Sequence, residues 1–281
     1  MDVGTPRIVK KGMIMKTVVI TGSARGLGFE LAKNFRKNSF NVVLSDINEE
    51  NLNKAVETLK ASSGEGAVIG MKCDVTKRDE VEALAQKTKE TFETLDIWVN
   101  NAGVNQSSHY IWDLPEKEVD FLINVDLKGA VNGSVAAMNV MIKQGFGAIY
   151  NVEGFGSNDA YQPFLVMYGT AKRAVTYFTS ALANEVKVNG FNIIVGKLSP
   201  GIMITDFLTS SNGQDNTTEL SDKVKKVYNI LGDYPDVIAE FLVDGMIKNK
   251  KNDKQIAWLT TGKSMIRFMT AGFNKRDFFS K

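Results

Sequence analysis

The chain is poor in the residues that build covalent staples and metal centres. Among 281 residues there is one cysteine, Cys73, and one histidine, His109. A single cysteine excludes an intrachain disulfide and suits a reducing compartment. A single histidine excludes a multi-histidine metal site and argues against a histidine-based catalytic triad. No stretch approaches the roughly 18 consecutive apolar residues of a membrane span. Lys10, Lys11 and Lys16 interrupt the first segment, so Met1–Lys16 does not read as a signal peptide. Internal repeats, Pro-rich linkers and low-complexity tracts are missing too. Charge of one sign is not in excess: 34 basic against 32 acidic side chains leave +2, which gives no case for nucleic acid or anionic lipid as a partner. What remains is an ordinary globular balance, 43% hydrophobic and 23% charged, and the expectation is a soluble, cytoplasmic protein.

Short β-rich runs alternate with longer helical patterns, the signature of a parallel sheet covered by helices on both faces. Strands are expected at Thr17–Thr21, Asn41–Ser45, Ala67–Cys73, Leu95–Asn100, Ala148–Val152 and Asn192–Leu198, with a seventh near Gln255–Leu259. Most are continuous apolar runs, as strands buried on both faces should be. Helices are expected near 26–38, 49–61, 77–93, 115–143 and 167–188. Right-handed crossovers then give one α/β, doubly wound (Rossmann) domain with a parallel sheet of about seven strands. It should span 16–281, after an N-terminal extension of about 15 residues. The polar, turn-rich segment Ser210–Asp222 follows the sixth strand, where a lid near 203–232 would lie.

The first strand runs into Gly22-Ser23-Ala24-Arg25-Gly26-Leu27-Gly28 and then a helical pattern. Glycines at this junction let the backbone turn sharply and approach a pyrophosphate, whose charge is met by helix N-terminal amides. The spacing is G-x-x-x-G-x-G rather than G-x-G-x-x-G, but the strand-to-helix context is the required one. Asp46 ends the second strand, where a carboxylate accepts from the adenosine ribose hydroxyls and repels a 2′-phosphate. That favours NAD over NADP; Arg25, a guanidinium in the turn, is the counter-signal.

With Asp46, Cys73-Asp74-Val75, Asn100-Asn101-Ala102-Gly103, Asn124, Tyr168-Gly169-Thr170-Ala171-Lys172 and Ser199-Pro200-Gly201 in order, the chain resembles the short-chain dehydrogenases/reductases over roughly residues 16–206. The resemblance implies that Asp74 and Val75 lie at the adenine. It implies that Asn101, Ala102 and Gly103 support the cofactor from the fourth strand, and that Pro200, Gly201, Met203 and Thr205 hold the nicotinamide carboxamide. Tyr168 and Lys172 are four apart, hence on one helix face, and a neighbouring ammonium favours phenolate over phenol. The expectation is a tyrosine pulled from about 10 toward neutrality, exchanging a proton with the substrate oxygen while hydride moves at the nicotinamide. Lys172 should also hold the nicotinamide ribose. Asn124 matches the family asparagine of the proton relay.

One departure matters. The family serine near the end of the fifth strand is missing, because Glu153 and Gly154 stand where two serines usually do. Glu153, partly protonated in an apolar site, is one replacement; Ser157, reaching back from the next loop, is another. The third reading is a protein that needs no such group or is catalytically dead, a dinucleotide sensor or scaffold.

Ile202, Phe207, Leu208, Tyr228, Ile230, Leu231 and Tyr234 near the expected lid suggest a bulky, apolar small-molecule substrate. A narrower resemblance, carried by NVEGFGS, YGTAKRAV and LSPGIMITDFL, is to a subgroup that includes plant chlorophyll b reductases and bacterial hydroxysteroid dehydrogenases. It implies an NAD(H)-dependent enzyme interconverting a ketone and a secondary alcohol, with a 20β-hydroxysteroid as the specific reading and a chlorophyll b reductase-like or general carbonyl reductase as the alternative. The usual family ending is replaced by Trp258-Leu259-Thr260-Thr261-Gly262 and a basic, aromatic tail. The apolar stripes of the helices near 115–143 and 167–188 predict a homodimer or homotetramer.

Overall fold

A computed structural model of the protein describes residues 15–205 and 221–279. Seven strands form one parallel sheet in the order β3-β2-β1-β4-β5-β6-β7: β1 Thr17–Thr21, β2 Asn41–Asp46, β3 Val68–Lys72, β4 Ile97–Asn100, β5 Gly147–Val152, β6 Ile193–Ser199 and β7 Gln255–Ala257. Every pairing is parallel. The strand order reverses between β1 and β4, so the crevice outside their carboxyl ends is where such sheets bind ligands.

Alternate side chains of each strand feed two cores. On one face Val18, Ile20, Val42 and Leu44 pack with α1 (Gly26–Lys37), α2 (Glu49–Ala61) and α8 (Pro235–Lys248) through Leu31, Phe35, Leu52, Ile238 and Leu242. On the other, Val19, Val43, Trp98, Ile149 and Val195 meet α3 (Arg78–Phe92), α5 (Gly129–Gln144) and α6 (Val166–Val188) through Leu84, Met141 and Ala183. Burial on both sides is why these strands read as unbroken apolar runs.

The helix expected near 115–143 is three pieces end to end: α4 (Glu116–Leu122), a π-helical segment (Ile123–Lys128) and α5. In the π segment the Gly129 amide bonds back to the Asn124 carbonyl, one residue further than an α-helix reaches. Two helices, α7 (Asp222–Leu231) and α8, lie where none is expected, and α9 (Thr261–Thr270) stands in the tail, for which a plain terminal helix is one reading. Residues 1–14 of the N-terminal extension and residues 206–220 of the expected lid lie outside the described residues. At the lid's near end, Met203 bridges to Asp233, with Ile204 N–H donating to the Asp233 carbonyl at 3.0 Å and Asp233 N–H to that of Ile202 at 3.1 Å. No described helix is long and apolar enough to cross a membrane.

Candidate active site

The glycine-rich turn is stapled to the neighbouring strand end. The Thr21 hydroxyl oxygen accepts from the Asn101 and Ala102 amides, both at 3.1 Å. The Asn101 side-chain amide donates to the carbonyls of Thr21 (3.0 Å) and Gly22 (2.8 Å). Gly22 takes φ +60° against Ala102, whose Cα would lie 2.7 Å from any added Cβ. A side chain there would suffer both strain and collision. No side chain caps the N-terminus of α1, so its first amides remain free to meet an anion. That uncapped, glycine-lined helix start fits a dinucleotide pyrophosphate. Arg25, the residue before the helix, is exposed, while Leu27 and Gly28 are buried.

Asp46 stands at the end of β2, beside the turn. One carboxylate oxygen accepts from the Ala24 amide (3.2 Å) and the other from the Asn48 amide (3.1 Å). It is half-buried and presents an anion next to the turn. Asp74 is engaged locally: its Oδ1 accepts from the Thr76 amide and hydroxyl at 3.0 and 2.8 Å. The Val75 carbonyl accepts from Asn132 at 2.9 Å. Gly103 lies against the Asp126 carboxylate and the Lys172 ammonium, each 3.3 Å from where its Cβ would be. Pro200 is buried, Gly201 has φ +73°, and Met203 and Thr205 follow on the half-buried segment leading away from β6. All these residues therefore collect at the carboxyl edge of the sheet.

Beneath them sits a buried polar ladder. Trp98 Nε1 donates to Asn100 Oδ1 at 2.7 Å. Asn100 Nδ2 donates to Asn151 Oδ1 at 2.7 Å, and Asn151 Nδ2 to the Thr179 hydroxyl at 2.8 Å. It ties β4, β5 and α6 together below the catalytic side chains. Satisfied buried networks of this kind rigidify a site.

Tyr168 and Lys172 lie on one face of α6, both buried, with the ammonium 5.7 Å from the centre of the tyrosine ring. The Tyr168 amide donates to the Gln106 side chain at 2.9 Å, which anchors the start of α6 to the loop after β4. The partner that sequence reasoning missed is Asp126. Its Oδ2 lies 2.9 Å from Lys172 Nζ, with both side chains almost fully buried, and its Oδ1 accepts from the Val104 amide at 2.7 Å.

Asn124 stands two residues earlier on the π segment, where its carbonyl accepts from the Gly129 amide. Asp126 is the side chain that reaches the lysine.

The electrostatics also differ from expectation. Burial pushes the Tyr168 hydroxyl up to about 12; Lys172 pulls it down, but Asp126 and Tyr228 push it up again. Burial opposes the charge on Lys172, yet Asp126 and Tyr168 outweigh it and hold the ammonium above its usual range. Asp126 itself is raised by burial, against the pull of Lys172 and the Val104 amide. Burial, with a smaller contribution from the Asp126 carboxylate, outweighs the lysine charge that should have acidified the tyrosine.

Glu153 does not take the place expected of it. It is buried at the end of β5, but its two oxygens accept from the Thr176 hydroxyl (2.8 Å) and the Gln255 side-chain amide (2.5 Å). Its hydrogen bonds thus run toward β7 and the middle of α6. The residue against the tyrosine hydroxyl is Gly154, where an added Cβ would overlap the Tyr168 oxygen. Ser157 is buried nearby; its Oγ accepts from the Gly154 amide at 3.2 Å and donates to the Lys172 carbonyl at 3.3 Å. At Gly154 the phenol therefore meets backbone. Of the expected lid residues, Phe207 and Leu208 lie outside the described residues, whereas Tyr228 sits on α7, close enough to influence Tyr168.

A family model described as short chain dehydrogenase matches residues 16–216. The chain belongs to the short-chain dehydrogenase family. It is 34% identical over 229 residues to a chloroplastic chlorophyll(ide) b reductase of Arabidopsis thaliana, a match covering 80% of this chain and 64% of that protein's length. Among solved structures, a 3-ketoacyl-(acyl-carrier-protein) reductase from Brucella melitensis complexed with NADH superposes with a TM-score of 0.74 at 23% identity, covering 86% of this chain and 96% of that one. An actinorhodin polyketide ketoreductase with NADPH gives 0.76 at 22% identity, covering 87% and 95%. At these identities the two structures establish the shared fold.

Proposed function

We propose that the protein is an NAD(H)-dependent oxidoreductase that interconverts a carbonyl group and an alcohol on a bulky, apolar substrate. The observation that carries this reading is the buried Tyr168–Lys172–Asp126 cluster at the carboxyl edge of the sheet, beside an uncapped, glycine-lined helix start. A nicotinamide dinucleotide, when bound, supplies or accepts the hydride. Gly22, Gly26 and Gly28 allow its close approach, the first amides of α1 meet its charge, and Asp46 selects the unphosphorylated ribose. Tyr168 gives the proton to the carbonyl oxygen on reduction and takes it from the hydroxyl on oxidation. Lys172 holds positive charge beside the phenol, and Asp126 fixes that ammonium in place.

A steroid ketone fits the half-buried apolar residues of α7 and its neighbours, Ile202, Tyr228, Ile230 and Leu231. A chlorophyll(ide)-type substrate fits the same surroundings and is favoured by the similarity to the chloroplastic reductase. We place the protein in the cytoplasm as a homodimer or homotetramer that uses the outer faces of α5 and α6. In support, α5 and α6 leave several apolar side chains on the surface, Ile142, Val166, Tyr177 and Val188.

Oxidation of NADH and of NADPH in the presence of steroid ketones, chlorophyll b and small diketones separates these substrates. Tyr168→Phe should abolish turnover with NADH affinity retained. If Tyr168→Phe stays active, the catalytic reading is wrong. NADH binding without turnover on any carbonyl would make the chain a sensor or scaffold instead.

A further inference from the structure

Without a serine near the end of the fifth strand, the site lacks one hydroxyl beside its tyrosine. The side chains nearest in sequence are committed elsewhere. Glu153 accepts from Thr176 and Gln255, and the Ser157 hydroxyl is shared between the Gly154 amide and the Lys172 carbonyl. Gln106 accepts from the Tyr168 amide at 2.9 Å; its Nε2 has no partner among the described residues but is buried out of a ligand's reach. Nor could a serine be restored at Gly154, where an added Cβ would overlap the Tyr168 oxygen.

A free hydroxyl does stand near by, on α7. Tyr228 is half-buried, with its ring edge-on to Phe279 and 6.3 Å between ring centres. Its hydroxyl has no hydrogen-bond partner among the described residues. The turn that carries it is pinned to the carboxyl edge of the sheet. The Tyr228 carbonyl accepts from the Gly232 amide at 2.7 Å, and the next residue, Asp233, exchanges backbone hydrogen bonds with Ile202 and Ile204 on the segment that follows Gly201. Arg267 and Arg276 brace the same turn by donating to the Leu231 and Gly232 carbonyls at 2.8 and 2.9 Å. The two phenols are close enough for Tyr228 to bear on the titration of Tyr168.

We propose that the Tyr228 hydroxyl is a second catalytic donor, which hydrogen-bonds the substrate oxygen alongside Tyr168 and takes over the role of the missing serine. This role rests on Tyr168 being the proton donor. As hydride reaches the carbonyl carbon, negative charge builds on the oxygen until the Tyr168 proton crosses. A fixed donor aimed at that charge favours the transition state over the ground state. Burial holds Tyr228 above its ordinary value, so it keeps its proton and acts as a donor, not as a competing base. The helix that supplies apolar lining through Ile230 and Leu231 thereby also completes the pair of hydroxyls.

Tyr228→Phe tests this in the full chain, with NADH and three carbonyl probes: progesterone, chlorophyll b and α-tetralone. The kcat should fall about 10²-fold, as for loss of one oxyanion donor, with NADH affinity unchanged. The melting temperature should hold as well, since no described residue bonds to the hydroxyl. Tetralin, which keeps the rings of α-tetralone and has no oxygen, should inhibit wild type and Tyr228→Phe equally. A wild-type kcat in Tyr228→Phe, with Tyr168→Phe inactive, overturns the proposal and leaves the reading of Tyr168 standing. A fall in kcat matched by an equal loss of tetralin affinity also overturns it, because the ring and not the hydroxyl then matters. A wild type that reduces none of the probes, or an active Tyr168→Phe, removes the reading of the site and this role with it. If Tyr228→Phe melts early or does not fold, 3,5-difluorotyrosine at position 228 decides. Its more acidic phenol should make the reduction rate fall at a lower pH than in the wild type, and an unmoved profile refutes the role.

Discussion

Replacing Asp126 by asparagine keeps the size of the side chain and removes its charge, which makes it the most direct probe of the catalytic cluster. Lys172 Nζ lies 5.7 Å from the Tyr168 ring centre, and the Asp126 carboxylate is 2.9 Å from that ammonium. The carboxylate is therefore no farther than about 9 Å from the ring. A unit charge at about 9 Å, with an effective dielectric near 20, is worth about 1.8 kcal/mol, or about 1.3 pKa units. The Tyr168 hydroxyl of the wild type stands at about 12, so the free enzyme holds it as the neutral phenol across the ordinary range. Asp126→Asn removes a group that favours the protonated phenol, and the value falls. In the alcohol-oxidising direction the active form is the phenolate, so kcat/KM rises with pH through this titration. The wild-type profile should still be climbing at about pH 10, and that of Asp126→Asn should bend roughly one unit earlier. Lys172 loses its partner in the same variant, so a lower melting temperature is expected too; breaking a buried ion pair costs about 3–5 kcal/mol. A profile that bends at the wild-type pH, or later, would refute the view that Asp126 offsets the lysine.

Other perturbations follow from the same contacts. Asp46→Ala should weaken the discrimination between NADH and NADPH, read by fluorescence titration of each; a wild type that binds NADPH as tightly as NADH would sink the assignment. Glu153→Ala removes two hydrogen bonds, leaving Thr176 only the Lys172 carbonyl and Gln255 only water, so urea unfolding should show a loss of about 1–3 kcal/mol with little change in kcat. A large fall in kcat at unchanged stability would return Glu153 to the chemistry. Arg276 donates to the Ile230 and Gly232 carbonyls and pairs with Asp233. Arg276→Ala should therefore raise KM for the carbonyl substrate severalfold while leaving NADH affinity unchanged.

The sheet was legible because strands buried on both faces leave an unmistakable trace: Val18 to Ile20, Val42 to Leu44 and Trp98 to Val99 are all fully buried. The glycine turn was legible for a different reason, since few residues other than glycine tolerate the positive φ of Gly22 and Gly26. The carboxyl-terminal helices were not. α7 and α9 are ten residues each and follow the turn-rich stretch and the last strand, so their short amphipathic patterns were read as lid and tail rather than as helices. Asp126 was missed because an ion pair between residues 46 positions apart leaves no periodic signal. Glu153 was placed near the tyrosine by chain position alone. Neighbouring side chains on a strand point to opposite sides, and at the end of β5 it is Gly154 that meets the phenol.

The π segment between α4 and α5 has a consequence for how the chain tolerates change in length. A π turn holds one residue more than an α turn, so deleting a single residue between Ile123 and Lys128 would leave an unbroken α-helix with no loss of backbone bonding. The wider turn absorbs that residue, because six residues in it sweep about the rotation that five sweep in an α-helix. α4 and α5 would therefore keep their faces, with Glu118 and Leu122 still buried. What would move is the segment itself, so such a deletion spares the core and disturbs the Asp126–Lys172 pair. The surplus residue shifts the sequence by one position without turning the rod.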